Sequence, residues 1–420
     1  MSRKQATVAV DVGALGARGD GIAHWEGQPL FVAGALPGER VLVRPGKPRG
    51  EGREAVLVEI LEAAPQRFAP PCAHFGVCGG CAVQHLEPAA YAAWKHDQLL
   101  ETLRRRGFAD PPLLPLESAP PGARRRARFA LAPARTGLAP AFRAARSHDL
   151  VIPANCPVLD AELLPAARAL AGVLSERGVL ELEVTRTLAG IDAMVIACRA
   201  PTPDESFDLA DIAERTDLAR IAWREEGRPP YLLADRRTPR LNAGAVEVAL
   251  PAGAFVQPTG WGEAAIGARL DAILPAAGTV ADLFAGCGLL GFALGPQRRV
   301  EAFESVAAMV AAARQAAMAA QRNTFRATQR DLERSPLDAA ELARFDAVVL
   351  DPPRAGARAQ AEALAVSAVP TVAYVSCHPG SFARDARTLA DGGYEMLSLA
   401  PLDQFLWSHH LELVGHFARR

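Results

Sequence analysis

A chain of 420 residues, half of them hydrophobic, has material for about three separately packed cores. Its formal net charge of −1 gives whole-chain electrostatics no say about partners, and no run of eighteen or more apolar residues could span a bilayer. The opening Met1-Ser2-Arg3-Lys4-Gln5 leads into no apolar segment, so the expectation is a cytoplasmic chain whose seven cysteines serve metal binding or catalysis rather than disulfides.

Residues 1–62 alternate short β-like runs with glycine turns, at 6–12, 13–21, 29–33, 40–44 and 55–61. That is the pattern of a small all-β barrel, a shape that often binds single-stranded nucleic acid. Residues 65–82 carry prolines and three close cysteines with little periodicity, and a segment of that kind needs an external tie. Residues 91–106 have helical spacing. From 104 to 146 come Arg104, Arg105, Arg106, Arg124, Arg125, Arg126, Arg128, Arg135, Arg143 and Arg146 with few acids among them. Such a patch suits phosphate contacts, or else a solvated helical face and a turn. Residues 124–250 mix strands and helices, with runs at 181–184 and 193–197, and read as a central α+β region.

Beyond about residue 260, strands and helices alternate as a doubly wound parallel sheet requires. The strands are 279–284, 299–303, 345–350 and 371–376, with a helix over 305–320 and a closing antiparallel pair at 397–401 and 411–417.

Cys72-x5-Cys78-x2-Cys81, with Gly79-Gly80 between the last two, puts three thiols in one loop, and Cys156-Pro157 offers a fourth from far along the chain. Three near ligands and one remote one favour an iron–sulfur cluster over a four-cysteine zinc site, whose ligands come in two short-spaced pairs. Cys198, on an apolar strand, is expected in the core.

Asp282-Leu283-Phe284-Ala285-Gly286-Cys287-Gly288-Leu289-Leu290-Gly291 runs from a strand through a glycine turn into a helix, and Glu304 ends the next strand. Such glycines let backbone approach a nucleotide while the acid meets ribose hydroxyls, which fits a dinucleotide or an S-adenosylmethionine site equally. Asp351-Pro352-Pro353-Arg354 and Cys377 end the two following strands, so three polar groups converge on one crevice. The bland readings are an Asx turn at Asp351, a helix N-terminal acid at Glu304 and a buried structural thiol at Cys377. A hydride-transfer site has no use for the thiol, whereas a cysteine thiolate is a strong nucleophile.

With these motifs in order, nearly the whole chain resembles the RNA 5-methyluridine (uracil-C5) methyltransferases, specifically the bacterial 23S ribosomal RNA type with a TRAM domain and a [4Fe-4S] cluster. The resemblance implies a multidomain α/β protein. Residues 1–62 would be an OB-like TRAM barrel that includes Leu36-Pro37-Gly38-Glu39-Arg40-Val41. Residues 63–255 would be a central RNA-binding region with the cluster on Cys72, Cys78, Cys81 and Cys156, and with RNA contacts from 122–129 and 141–147. Residues 256–420 would be a Rossmann-like class I methyltransferase domain.

The resemblance further implies S-adenosylmethionine held by Gln257 of Phe255-Val256-Gln257 and by Phe284, Gly286, Gly288, Glu304, Asp331 and Asp351. Cys377, in Ser376-Cys377-His378-Pro379, would be the nucleophile. Glu412, after Asp403-Gln404-Phe405 and His410-Leu411, would be the base, with Asp351 as an orienting acid. The family has Asn where this chain has Thr259, Leu289 and His378, and Pro and Thr at Leu406 and Ser408. A monomer acting on ribosomal RNA is implied. Transfer RNA uridine, RNA cytosine, or a catalytically silent RNA-binding iron–sulfur protein are the other readings.

Overall fold

The computed structural model describes residues 6–135, 137–175 and 177–419. The chain separates into two compact units, one of Met1–Leu99, Phe142–Pro157 and Phe405–His409, the other of Leu100–Ala141, Val158–Gln404 and His410–Arg420.

The first unit begins with a closed five-strand barrel in the order Val8–Leu15, Asp20–Trp25, Gln28–Ala33, Gly52–Glu62, Arg40–Arg49. Alternating side chains fill it: Val10, Val12, Ala23, Leu30, Val32, Val41, Val43 and Ala55 face inward. The strand Asp20–Trp25 was not legible from the sequence, because its first inward position is a carboxylate. Asp20 is buried and ion-paired to Arg49 at 2.8 Å and to Arg146. Its hairpin with Gln28–Ala33 turns through Glu26 and Gly27, both at positive φ (50° and 75°), the geometry that matches strand twist in a two-residue turn.

The second unit holds two sheets. The first orders Tyr231–Asp235, Arg220–Glu225, Gly190–Ala197, Val179–Thr187 and Arg126–Pro133, with residues 138–141 beside the last. Helix Pro203–Arg215 enters through a full capping box, in which Thr202 and Glu205 each satisfy the other's backbone N–H.

The other sheet positions the site. Its order is Phe325–Gln329, Arg298–Glu304, Gly278–Leu283, Ala347–Leu350, Thr371–Ser376, Glu412–Arg419, Tyr394–Asp403, Glu117–Ser118. The first five are parallel and Glu412–Arg419 runs antiparallel between its neighbours. The chain enters at Gly278–Leu283, winds to one edge, then returns to Ala347–Leu350 on the other side. That reversal opens a crevice at the carboxyl ends of the central strands. Val280, Val300, Ala347, Val349, Ala373, Val375 and Val414 belong to the core cluster beneath it.

Among the described residues no helix is long and apolar enough to cross a membrane. Cys198 is a correction to the sequence reading. It follows the last residue of Gly190–Ala197 and is exposed, because the strand ends one residue before the expected core position.

Candidate active site

Register brings the two reactive candidates together. Thr371–Ser376 pairs antiparallel with Glu412–Arg419, and Ser376 sits opposite Leu413. Cys377 follows just beyond the end of that ladder and Glu412 just before Leu413, and the charge of Glu412 acts on the thiol. Asp351 follows the neighbouring strand, whose Leu350 pairs with Tyr374. A carboxylate, a thiol and a second carboxylate thus occupy three adjacent strand positions at one end of the sheet.

A chain of side-chain hydrogen bonds links them. Gln257 Nε2 donates to Asp351 Oδ2 at 3.3 Å, and Gln404 Nε2 donates both to Gln257 Oε1 and to Glu412 Oε2, each at 2.8 Å. Thr259 Oγ1 closes the chain on Gln404 Oε1 at 3.4 Å. Gln257, Thr259, Gln404 and Glu412 are buried, with Glu412 only 2% exposed. Gln257 is held from behind as well, since Arg125 Nε donates to its carbonyl at 3.1 Å while the same guanidinium pairs with Glu263.

The electrostatics follow from burial of like charges. Burial, then the charge of Asp351, pushes Glu412 up to about 8, while the Gln404 hydrogen bond pulls the other way. Burial pushes Asp351 up to about 7 against the Gln257 bond, although part of its surface stays open. Cys377 is driven up to about 11 by burial and then by Glu412 and Asp351, with Arg354 opposing. Asp282, at the base of the crevice, is pushed up to about 7 by burial, then by Asp351 and Glu304. Burial and like charge thus both favour the neutral forms of the thiol and of these acids.

The glycine turn lies at the next strand end. Phe284 takes φ +64°, a strained value for a bulky residue, and Gly286 and Gly288 take +56° and +78°. A Cβ built at Gly286 would meet nothing within 4 Å, so the space over the turn is open, whereas one at Gly288 would strike Phe325 at 2.8 Å. Glu304 holds the turn by accepting from Gly286 N–H at 3.0 Å, and its other oxygen accepts from Val306 N–H at 2.8 Å. Asp331 is exposed, and its carboxylate accepts from the N–H groups of Glu333 and Arg334, a local turn.

Two departures noted in the sequence have a common physical reading. Thr259 caps helix Gly260–Ile273, its hydroxyl accepting from Gly262 N–H at 2.8 Å. His378 caps helix Pro379–Asp391, its Nδ1 accepting from Ser381 N–H at 3.1 Å. Asn would supply the same acceptor, so both replacements keep the helix start that sets the adjoining residue in place.

Four of the ten arginines of the expected patch pair with acids distant in sequence. Arg125 pairs with Glu263, Arg126 with Glu183 at 2.8 Å, Arg128 with Glu181 and Arg146 with Asp20. Counting acids only within residues 104–146 missed these partners, which come from other strands and a helix. Arg126 also lies 5.2 Å from the ring centre of Phe255, which is 62% exposed.

In the first unit, the loop bearing Cys72, Cys78 and Cys81 is laced to the segment bearing Cys156. Gly79 N–H donates to Arg143 O at 2.9 Å, Ala145 N–H to Val77 O at 2.9 Å, and Ala154 N–H to His74 Nε2 at 2.8 Å. The four thiols sense one another. Burial pushes Cys81 up to about 12, and the charges of Cys156, Cys78 and Cys72 add to it against a Gln84 bond. Among the described residues, however, no group of three or more His, Cys, Asp or Glu is arranged to hold a metal ion.

Comparison with known proteins gives this arrangement a class. Residues 251–420 match the family described as tRNA (Uracil-5-)-methyltransferase. An RNA methyltransferase of Caulobacter vibrioides is 38% identical over 97% of this chain and 99% of its own. The 23S rRNA (uracil(1939)-C(5))-methyltransferase RlmD of Pseudomonas fluorescens is 36% identical over 95% of this chain and 91% of its own. Among solved structures, the Pyrococcus abyssi tRNA (uracil-54, C5)-methyltransferase with S-adenosyl-L-homocysteine superposes with a TM-score of 0.73 at 20% identity, covering 97% of this chain and 99% of that one, a likeness of fold. By these relatives the chain is an RNA methyltransferase. The chain belongs to the RNA uracil-C5 methyltransferase family.

Proposed function

We propose that the protein transfers a methyl group from S-adenosylmethionine to carbon 5 of a uridine in RNA, with 23S ribosomal RNA as the substrate. The observation that carries this reading is Cys377 just past the ladder that pairs Ser376 with Leu413, within reach of the charges of Glu412 and Asp351, with Gln257 bonded to Asp351. The long relative named for 23S rRNA favours ribosomal over transfer RNA.

The residues present fit the methyl donor. The open, positive-φ turn Phe284–Gly288, with Glu304 behind it, suits an adenosyl group, and Gln257 and Asp351 form the polar wall beside the reacting atoms. Gly286 and Gly288 let backbone come close, and Asp331 is assigned to the far end of the same ligand. When bound, S-adenosylmethionine supplies an electrophilic methyl and a positive charge beside the acids.

Uracil carbon 5 is a poor nucleophile until carbon 6 gains a substituent. Cys377 gives up its thiol proton to solvent and adds to carbon 6 as the thiolate, the C5=C6 electrons pass into an enolate, and carbon 5 then takes the methyl, with S-adenosylhomocysteine as the leaving group. Glu412 accepts the carbon 5 proton. The electrons of that C–H bond restore C5=C6, and the sulfur leaves as thiolate. Asp351 orients the uracil and the donor. The target base has to leave its stack to enter such a pocket.

We assign the first-unit barrel, residues 1–62, as a TRAM-like RNA-binding module, 63–255 as the central RNA-binding region, and 256–420 as the Rossmann-like methyltransferase domain. Segments 122–129 and 141–147 are assigned to RNA. Cys72, Cys78, Cys81 and Cys156 are assigned as ligands of a [4Fe-4S] cluster. Their donor chemistry fits, and the raised Cys81 thiol means that loading must release protons as the ligands close in. Bound, the cluster ties the loop to the distant segment. Anaerobic reconstitution with iron and sulfide should give about four irons per chain, and Cys78→Ser together with Cys156→Ser should abolish that. Undiminished iron in the double variant, or zinc in its place, would remove the assignment.

For the reaction, undermodified ribosomal RNA is incubated with labelled S-adenosylmethionine and digested to nucleosides. The label should appear in 5-methyluridine. Label in 5-methylcytidine, or RNA binding without any transfer, would contradict the proposal.

A further inference from the structure

We infer that Gln404 is a positioning residue that couples the methyl-donor side of the pocket to the base, one amide nitrogen holding both Gln257 and Glu412. This deepens the function proposed above and rests on it.

With Asp351 and Glu412 ionised, donors and acceptors fit in only one arrangement. Asp351 accepts from Gln257 Nε2, so the Gln257 oxygen must face Gln404. That oxygen needs a donor, which sets Gln404 Nε2 toward it, and the second hydrogen of the same NH2 then reaches Glu412 Oε2. The Gln404 oxygen is left to accept from Thr259. Reversing either amide would set oxygen against oxygen. Gln404 is 1% exposed, and its Oε1 sits 2.3 Å from where a Cβ on Gly262 would stand, so the glycine makes room for the amide. Gln404 directly follows the strand Tyr394–Asp403, whose Leu402 pairs with Glu412.

The chemical consequence concerns the last step. Glu412 has to be ionised to take the carbon 5 proton. The groups that face it are Cys377 from the adjacent strand end and Asp351 from the strand beyond, the latter unfavourable to its charge, with Asp282 behind Asp351 and Arg354 beside Cys377. Gln404 supplies the hydrogen bond that favours its ionised form. Removing that donor raises the pKa of Glu412, so the base form becomes scarcer at any given pH and proton removal shifts to higher pH. A side chain that merely fills space would slow the step without moving its pH dependence.

The test uses the full chain with undermodified ribosomal RNA and S-adenosylmethionine. Time points are quenched in denaturant, and decay of the methylated protein–RNA adduct is followed across pH. In Gln404→Met, which keeps volume and loses the donor, the midpoint of the release rate should rise by roughly one to two pH units, with release at neutral pH slowed roughly tenfold or more. Adduct formation should persist. Gln404→Glu, which keeps the shape and can retain the Thr259 bond, should move the midpoint the same way and carries the test if the Met variant does not fold. A wild type that methylates uridine, with unmoved midpoints in the variants, overturns the coupling alone. A wild type that forms no adduct overturns the function beneath it as well.

Discussion

Glu412→Gln is expected to stop the reaction after methyl transfer, leaving RNA covalently attached to the protein. The amide keeps the shape of the side chain, and its oxygen can still accept from Gln404, so the network from Thr259 to Asp351 survives. What it loses is the ability to take a proton. A positioned general base is worth roughly 10²–10⁴-fold, so release should slow by about that factor while addition and methyl transfer continue. The variant should also fold at least as well as the native chain, because it removes a buried carboxyl that burial and Asp351 hold up at about 8. Denaturing electrophoresis with labelled RNA reads the result: a persistent, methyl-labelled protein–RNA band. A variant that turns over normally would take the base role from Glu412.

Cys377→Ala is expected to remove both adduct and methylation, a loss of roughly 10⁴-fold or more, since carbon 5 then has no route to enolate character. The structural cost is small. Cys377 is only partly buried and stands beyond the end of the Thr371–Ser376 ladder. Removing its thiol also removes a group that Glu412 and Asp351 disfavour as an anion. Binding of S-adenosylmethionine, measured by calorimetry, should be unchanged within about twofold. Loss of methylation together with loss of donor binding would instead make Cys377 a structural residue of the pocket.

Much of this was legible in the sequence where local pattern and chemistry coincide. The strand Thr371–Ser376 falls where its apolar run places it, because a central parallel strand is buried on both faces and reads as continuous hydrophobic sequence. The edge strand Phe325–Gln329 was missed, since Arg326, Thr328 and Gln329 break such a run. Asp20–Trp25 was hidden by an inward carboxylate whose neutralising arginines lie far along the chain. The same limit applies to the arginines of residues 124–128. Their acids sit on Val179–Thr187 and Gly260–Ile273, and only folding pairs them.

In the site, the motifs gave the thiol, the acids and the glycine turn, but not the bonds among them. Gln404 carried one visible signal, an amide two positions past the apolar run Leu399-Ala400-Pro401-Leu402. Its meaning depends on Gln257 and Glu412, 147 and 8 residues away. The replacements at Thr259 and His378 looked like losses beside the family pattern, and as helix caps they are equivalents.

The central claim is that Cys377 attacks a uracil that then receives the methyl group. Its most direct test is mass spectrometry of the adduct trapped by Glu412→Gln, after digestion of both protein and RNA. The expected product is the peptide containing Cys377 joined to one uridine nucleotide that carries an added methyl. Attachment to any other residue, or to a cytidine, or the absence of an adduct from a folded variant that binds RNA, would contradict it.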